Sequence, residues 1–111
     1  MTFDEYQKQS KSTAQYSEFF KSDPWVYLAL GLAGETGEVV DKLKKVGRND
    51  NGVFTDEAKL ALQKEFGDVL WYLSQLCEEL GISLDEVARM NRAKLEDRKA
   101  RGVLKSRGDN R

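Results

Sequence analysis

Two stretches decide the fold: Trp25 to Lys45, WVYLALGLAGETGEVVDKLKK, and Lys64 to Leu80, KEFGDVLWYLSQLCEEL. Around the first, Trp25, Leu28, Leu32, Val39, Leu43 and Val46 recur at helical intervals. Around the second, Leu62, Phe66, Val69, Leu73, Leu76 and Leu80 do the same. Each stretch is therefore a helix with one apolar face. The connection Gly47-Arg48-Asn49-Asp50-Asn51-Gly52 is dense in turn formers, and so short a loop makes the two helices antiparallel neighbours.

Working outward, Pro24 suits the first turn of the earlier helix, which carries through Val46 until Gly47 ends it. Thr55 caps the later one, favoured by Asp56 and Glu57 at its positive end, and Gly81 stops it. Ser83 with Glu86 forms a capping box for a last helix that ends near Arg101, before Gly102. Thr2 with Glu5 forms another, predicting a first helix from Phe3 to about Phe20. The expected fold is all-α: a four-helix, bundle-like single domain over residues 1–102 with an antiparallel central hairpin. A tail, 103–111, has little to bury and should fray. Its Arg107-Gly108-Asp109 triplet matches an adhesion tripeptide but reads as part of that solvated tail.

Composition narrows the chemistry. The chain has 111 residues, 40% hydrophobic and 33% charged, and 18 basic against 19 acidic residues leave a formal charge of -1. No global field recruits nucleic acid or an anionic membrane, so phosphate binding must be local. No run is long and apolar enough to span a bilayer and no basic-then-apolar leader opens the chain, so the expected location is the cytoplasm. There are no histidines, which removes Ser-His-Asp catalysis and zinc sites built on histidine. Cys77 is alone in an apolar stripe and reads as a buried structural thiol. Carboxylates, amines, hydroxyls or a metal must do the work.

Glu35 and Glu38 lie three apart on the second helix, as do Glu65 and Asp68 on the third. Spacing alone proves little, since an acidic content this high gives about three such pairs by chance. Position is more telling. At about 100° per residue, each pair lies roughly 60° and 120° from the centre of its apolar stripe, in the same rotational sense. The midpoints of the two pairs are also about equally far from the loop, so in an antiparallel hairpin the four carboxylates converge. Converging carboxylates repel one another unless cations hold them ionised, and an all-oxygen set suits Mg²⁺, or Mn²⁺ in its place. From geometry alone the alternative stands that these are surface acids paired with Lys42 or Lys64. Gly31, Gly34, Gly37 and Gly67 lie inside the same helices, where each costs about 1 kcal/mol relative to alanine. Close backbone approach, or room beside the acids, would compensate.

The two quoted stretches together resemble the MazG-like family of all-α pyrophosphohydrolases, over about residues 3–102. That family carries Glu-x-x-Glu, a spacer and Glu-x-x-Asp as its Mg²⁺-binding signature, and Glu35, Glu38, Glu65 and Asp68 occupy it here with 26 residues between the pairs. The resemblance implies hydrolysis of nucleoside triphosphates to monophosphate and pyrophosphate, with Glu35 or Glu38 as the base that readies water. The family's downstream polar positions resemble Asn91, Lys94 and Arg98, which would meet the sugar or the phosphates. Lys42 joins these as a candidate substrate contact. Trp25 and Tyr72 are candidates to stack on a base, with core packing as the competing role. Trp71 projects away from the main stripe, as an oligomer contact or a wall of a neighbouring subunit's pocket; the oligomer contact is the favoured reading, and a homodimer or homotetramer is expected. Helix one is too polar on every face to diagnose, though Gln7 and Thr13 could approach substrate. Other readings are a phosphoribosyl-ATP or dUTP pyrophosphohydrolase of the same superfamily, or a noncatalytic helical interaction module.

Overall fold

The computed structural model describes residues 1–18, 20 and 22–105; the Arg107-Gly108-Asp109 triplet lies outside them. Four helices make up the described chain: α1 (Phe3–Ser10), α2 (Pro24–Asn49), α3 (Asp56–Leu80) and α4 (Leu84–Ala100), with two 3-10 turns, Lys11–Thr13 and Tyr16–Glu18, between α1 and α2. The domain is all-α, as expected, and α2 and α3 form its antiparallel hairpin.

Local chemistry sets these limits. Thr2, Thr55 and Ser83 each accept a hydrogen bond from the backbone N–H three residues on, and so start α1, α3 and α4. Gly81 and Gly102 end α3 and α4 with positive φ, while Ile82 N–H donates to Cys77 O and Val103 N–H to Arg98 O. Two boundaries differ from the sequence reading. Helix α2 does not stop at Gly47 but runs to Asn49, because the left-handed residues that end it are Asn51 and Gly52. Helix α1 ends at Ser10, less than half its expected length. There the hydroxyls of Ser10, Ser12 and Thr13 donate to the carbonyls of Gln7, Gln9 and Ser10, which tightens the chain into a 3-10 turn.

The short α1 ties α3 to α4. Gln7, 6% exposed, donates from Nε2 to Glu78 Oε1 (2.7 Å) and Ile82 O (2.9 Å) and accepts from Leu84 N–H (2.8 Å). Asp4 and Asp85 cap each other's helices: Asp4 Oδ1 accepts from Asp85 N–H and Ser83 Oγ, and Asp85 Oδ2 accepts from Asp4 N–H. Two positive helix ends thus face two carboxylates, an arrangement the macrodipole favours. Ser10, Ser74 and Gln75 continue this seam as a buried hydrogen-bonded group. Gln7 is consequently a structural residue.

The apolar core is thin. Leu28, Val46, Leu62, Cys77 and Leu84 are buried, whereas Trp25, Leu30, Val40, Leu43, Phe66, Leu73, Leu80, Met90 and Leu95 remain exposed. The stripes predicted on α2 and α3 are therefore split, one flank covered by the hairpin and the other open. Burial, and then the Glu78 charge, push the Cys77 thiol up, in keeping with an unreactive structural cysteine. No helix among the described residues is long and apolar enough to cross a membrane.

Candidate metal centre

Helix α2 carries Glu35 and Glu38, and α3 carries Glu65 and Asp68. The hairpin brings carboxylate oxygens of Glu35, Glu65 and Asp68 within 4.8 Å of one another. Glu38 stands outside this group, exposed one turn further along α2, and its charge still acts on Glu35. Three of the four predicted acids therefore meet, with the fourth beside them. Lys42 Nζ lies 3.5 Å from Glu65 Oε1, so an amine stands beside the acids.

Burial raises the Glu35 carboxyl above its ordinary value of 4.5, helped by the charges of Asp68, Glu65 and Glu38 and by a hydrogen bond to Glu65. This is the signature of carboxylates crowded without enough positive charge. The donor set fits a small, hard divalent cation: all ligands are oxygens, and bonds of about 2.1 Å put opposite ligands about 4.2 Å apart, a modest side-chain turn from the present spacing.

The raised value has a consequence for stability. A carboxyl whose folded-state pKa is raised stabilises the fold fully below its unfolded value, and that contribution is lost as pH rises through the folded value. In chelator, then, Glu35→Gln should melt at a higher temperature than wild type at neutral pH, and the difference should vanish as pH falls below about 4.5. Thermal melts followed by circular dichroism test this. A metal-free wild type more stable than Glu35→Gln at neutral pH would contradict it.

Aromatic rings wall one side of the acids. Tyr72 lies near Glu35 and Asp68, and burial, with a bond to Tyr27 and those two charges, pushes its hydroxyl up to about 12. Its ring packs on Gly31, where a Cβ would collide with the ring carbons Cε1, Cζ and Cδ1, so close approach accounts for that glycine. Gly34, Gly37 and Gly67 face open space instead. Tyr72 belongs to a cluster with Tyr27 (centroids 6.3 Å) and Trp71 (5.1 Å), which Tyr16 extends. Tyr6 also approaches: burial, then the Asp68 charge, raises its hydroxyl. Neither Tyr6 nor Tyr27 was singled out from sequence. Tyr27 stands one turn before Gly31 on the helix that bears the acids, a usable signal; Tyr6, on a helix polar all round, gave none.

Other expectations are redistributed. Trp71, expected to project outward, is half-buried: its indole N–H donates to Thr13 Oγ1 (2.9 Å), and it meets Tyr16 edge-on. The chain covers Trp71 because α1 breaks at Ser10 and folds back, which a helix running to Phe20 could not do. Thr13 is thereby occupied. Trp25 is 52% exposed in the first turn of α2, not packed in the core. Asn91 and Lys94 line a shallow cleft with Val87 and Met90, formed wholly from α4. Arg98 is 3% exposed in the last turn of α4, out of solvent's reach. The chain as it stands thus assembles Glu35, Glu65, Asp68, Lys42 and Tyr72, while Asn91, Lys94 and Arg98 lie on α4, which packs mainly on α1.

Fold and site define an all-helical protein with an oxygen-only acid group suited to a divalent cation. Residues 26–103 match the MazG nucleotide pyrophosphohydrolase domain, a span that contains all four acids, Lys42, Tyr72 and the three α4 residues. The chain belongs to this family of nucleotide pyrophosphohydrolases, whose enzymes generally depend on a divalent metal. It is 47% identical over 85 residues to the Gene 37 protein of Mycobacterium phage L5, an alignment covering 77% of this chain and 75% of that protein. No solved structure matches it.

Proposed function

We propose that this protein hydrolyses nucleoside triphosphates, ribo or deoxy, between the α and β phosphates, releasing nucleoside monophosphate and pyrophosphate. One observation carries the reading: carboxylate oxygens of Glu35, Glu65 and Asp68 meet within 4.8 Å on a hairpin that the family match spans. Mg²⁺, or Mn²⁺ in its place, held by these residues would supply positive charge to inner phosphate oxygens that otherwise face a ring of acids. The chain's own side chains do the rest. Glu38, exposed and outside the group, would take a proton from attacking water, with Glu35 as the other candidate. Tyr72 offers a ring face beside the acids, and Lys42 an ammonium for the phosphates. A chain without a GxxxxGK[ST] loop to cradle a transferable γ-phosphate favours attack at the inner phosphorus. Residues 1–102 would form the catalytic domain and 103–111 a tail.

Hydrolysis in ¹⁸O-labelled water tests the bond. Mass spectrometry should find the label in nucleoside monophosphate. Label in orthophosphate beside a nucleoside diphosphate would refute the assignment.

The active form should be a homo-oligomer. The chain exposes 8292 Å², roughly 2,000 Å² more than the roughly 6,200 Å² expected of a compact 12.6 kDa monomer. Its radius of gyration, 17.1 Å, likewise exceeds the roughly 13 Å of a compact chain this long. Leu30, Val40, Phe66 and Leu73, exposed on the hairpin, and Met90 on α4 give this surface an apolar part that a partner subunit would cover. Light scattering at micromolar concentration should give at least twice the monomer mass, and a monomer would overturn the assembly.

A further inference from the structure

We propose that Lys42 is the resident counter-ion of the acid group: a divalent cation displaces its ammonium from Glu65, and the released ammonium becomes a phosphate ligand. The inference rests on the reading of Glu35, Glu65 and Asp68 as a metal-dependent triphosphate site, and goes beyond it by assigning one side chain two successive partners.

Lys42 follows Glu38 by one helical turn and Glu35 by two, so all three share one face of α2, and Glu35 and Lys42 both reach acids of α3. Its Nζ is 3.5 Å from Glu65 Oε1, with the lysine side chain 37% exposed and that of the glutamate 18%. Among the described residues, no other cation pairs with any of the four acids. A single ammonium is too little charge for them: oxygens of Glu35, Glu65 and Asp68 lie within 4.8 Å of one another, and Glu35 stays crowded by Asp68, Glu65 and Glu38. The group is thus underneutralised with Lys42 in place, and a doubly charged ion is the stronger claimant.

The pair is also easy to give up. A partly exposed lysine–carboxylate pair at this distance is weak and screened, whereas a divalent ion gains from several carboxylates at once. On one carboxylate the two cations repel each other, which favours the arrangement in which the flexible four-carbon stem swings outward. A triphosphate bound through the metal then presents anionic oxygens where the ammonium has gone, and a lysine serves a phosphate well as a point charge. Metal loading and phosphate capture are coupled through one residue.

The test uses full-length protein. Free Mn²⁺ measured by electron paramagnetic resonance should show Lys42→Met binding the ion about two- to five-fold more tightly than wild type, the size expected for removing a partly exposed competing charge. With the metal saturating, an α,β-methylene nucleoside triphosphate should bind about tenfold or more weakly to the variant, the size expected for losing a charged hydrogen bond. In wild type labelled with ¹³C-lysine, the Lys42 Cε resonance, identified by its loss in Lys42→Met, should shift when Mg²⁺ is added and again with the analogue. Unchanged or weaker Mn²⁺ binding by a helical Lys42→Met, or a Lys42 signal indifferent to Mg²⁺ while the metal binds, would overturn the exchange alone. A wild type that binds no Mn²⁺ would overturn the site itself.

Discussion

Asp68→Asn and Glu65→Gln should each lower turnover by at least about 10²-fold while leaving the helical circular dichroism unchanged. Each substitution keeps the shape of the side chain and removes one negative charge from the group that would hold the cation. Metal stabilisation of phosphate charge is worth several kcal/mol, and each 1.36 kcal/mol is a factor of ten in rate. Neither carboxylate is needed for the helix. Both lie mid-way along α3, far from its cap at Thr55 and its end at Gly81. Glu65 is half-buried and Asp68 exposed, so an amide at either position leaves no deeply buried donor unsatisfied. The two differ in one respect: Glu65→Gln also releases Lys42, so its loss of metal affinity should be partly offset and Asp68→Asn should be the more severe in Mn²⁺ binding. Full metal-dependent activity in both variants would remove these residues from the site.

The acid group was legible because it depends on quantities that a sequence specifies well. Helical rotation and distance from a short loop placed Glu35 against Glu65 and Asp68, and the caps at Thr55 and Ser83 pinned the helices that present them. What the sequence concealed are side chains acting on backbone from outside the periodic pattern. The hydroxyls of Ser10, Ser12 and Thr13 break α1, and that break lets Thr13 meet Trp71, so one unread competition turned an expected surface tryptophan into a half-buried one. The same limit applies to α4. Its boundaries follow from Ser83 and Gly102, but its direction is set by Asp4, Gln7 and Asp85, polar residues whose partners are roughly eighty positions away in sequence. Periodicity shows which face a helix buries, not whether a neighbour from the same chain covers it. Phe66, Leu73 and Leu80 follow one another at seven-residue intervals on α3 and all remain exposed.

Gly31→Ala should destabilise the protein in wild type and stabilise it, or leave it unchanged, when Tyr72 is also replaced by alanine. In a helix interior the exchange of glycine for alanine is favourable by about 1 kcal/mol, so on α2 alone the variant gains. The obstacle is one ring. A Cβ at position 31 would fall among Cδ1, Cε1 and Cζ of Tyr72, and that ring has little room to yield, with Trp71 edge-on at 5.1 Å and Tyr27 at 6.3 Å. Overpacking of this kind costs about 1–3 kcal/mol, enough to reverse the helical gain. With Tyr72→Ala the ring is gone and only the gain remains, so a double-mutant cycle should return a coupling of about 1–3 kcal/mol between positions 31 and 72. Because Tyr72 borders Glu35 and Asp68, its displacement in Gly31→Ala should also weaken Mn²⁺ binding, which ties a glycine with no ligand atom to the chemistry of the site. Equal effects of Gly31→Ala in the two backgrounds, measured by urea denaturation, would show that the ring is not what the glycine accommodates.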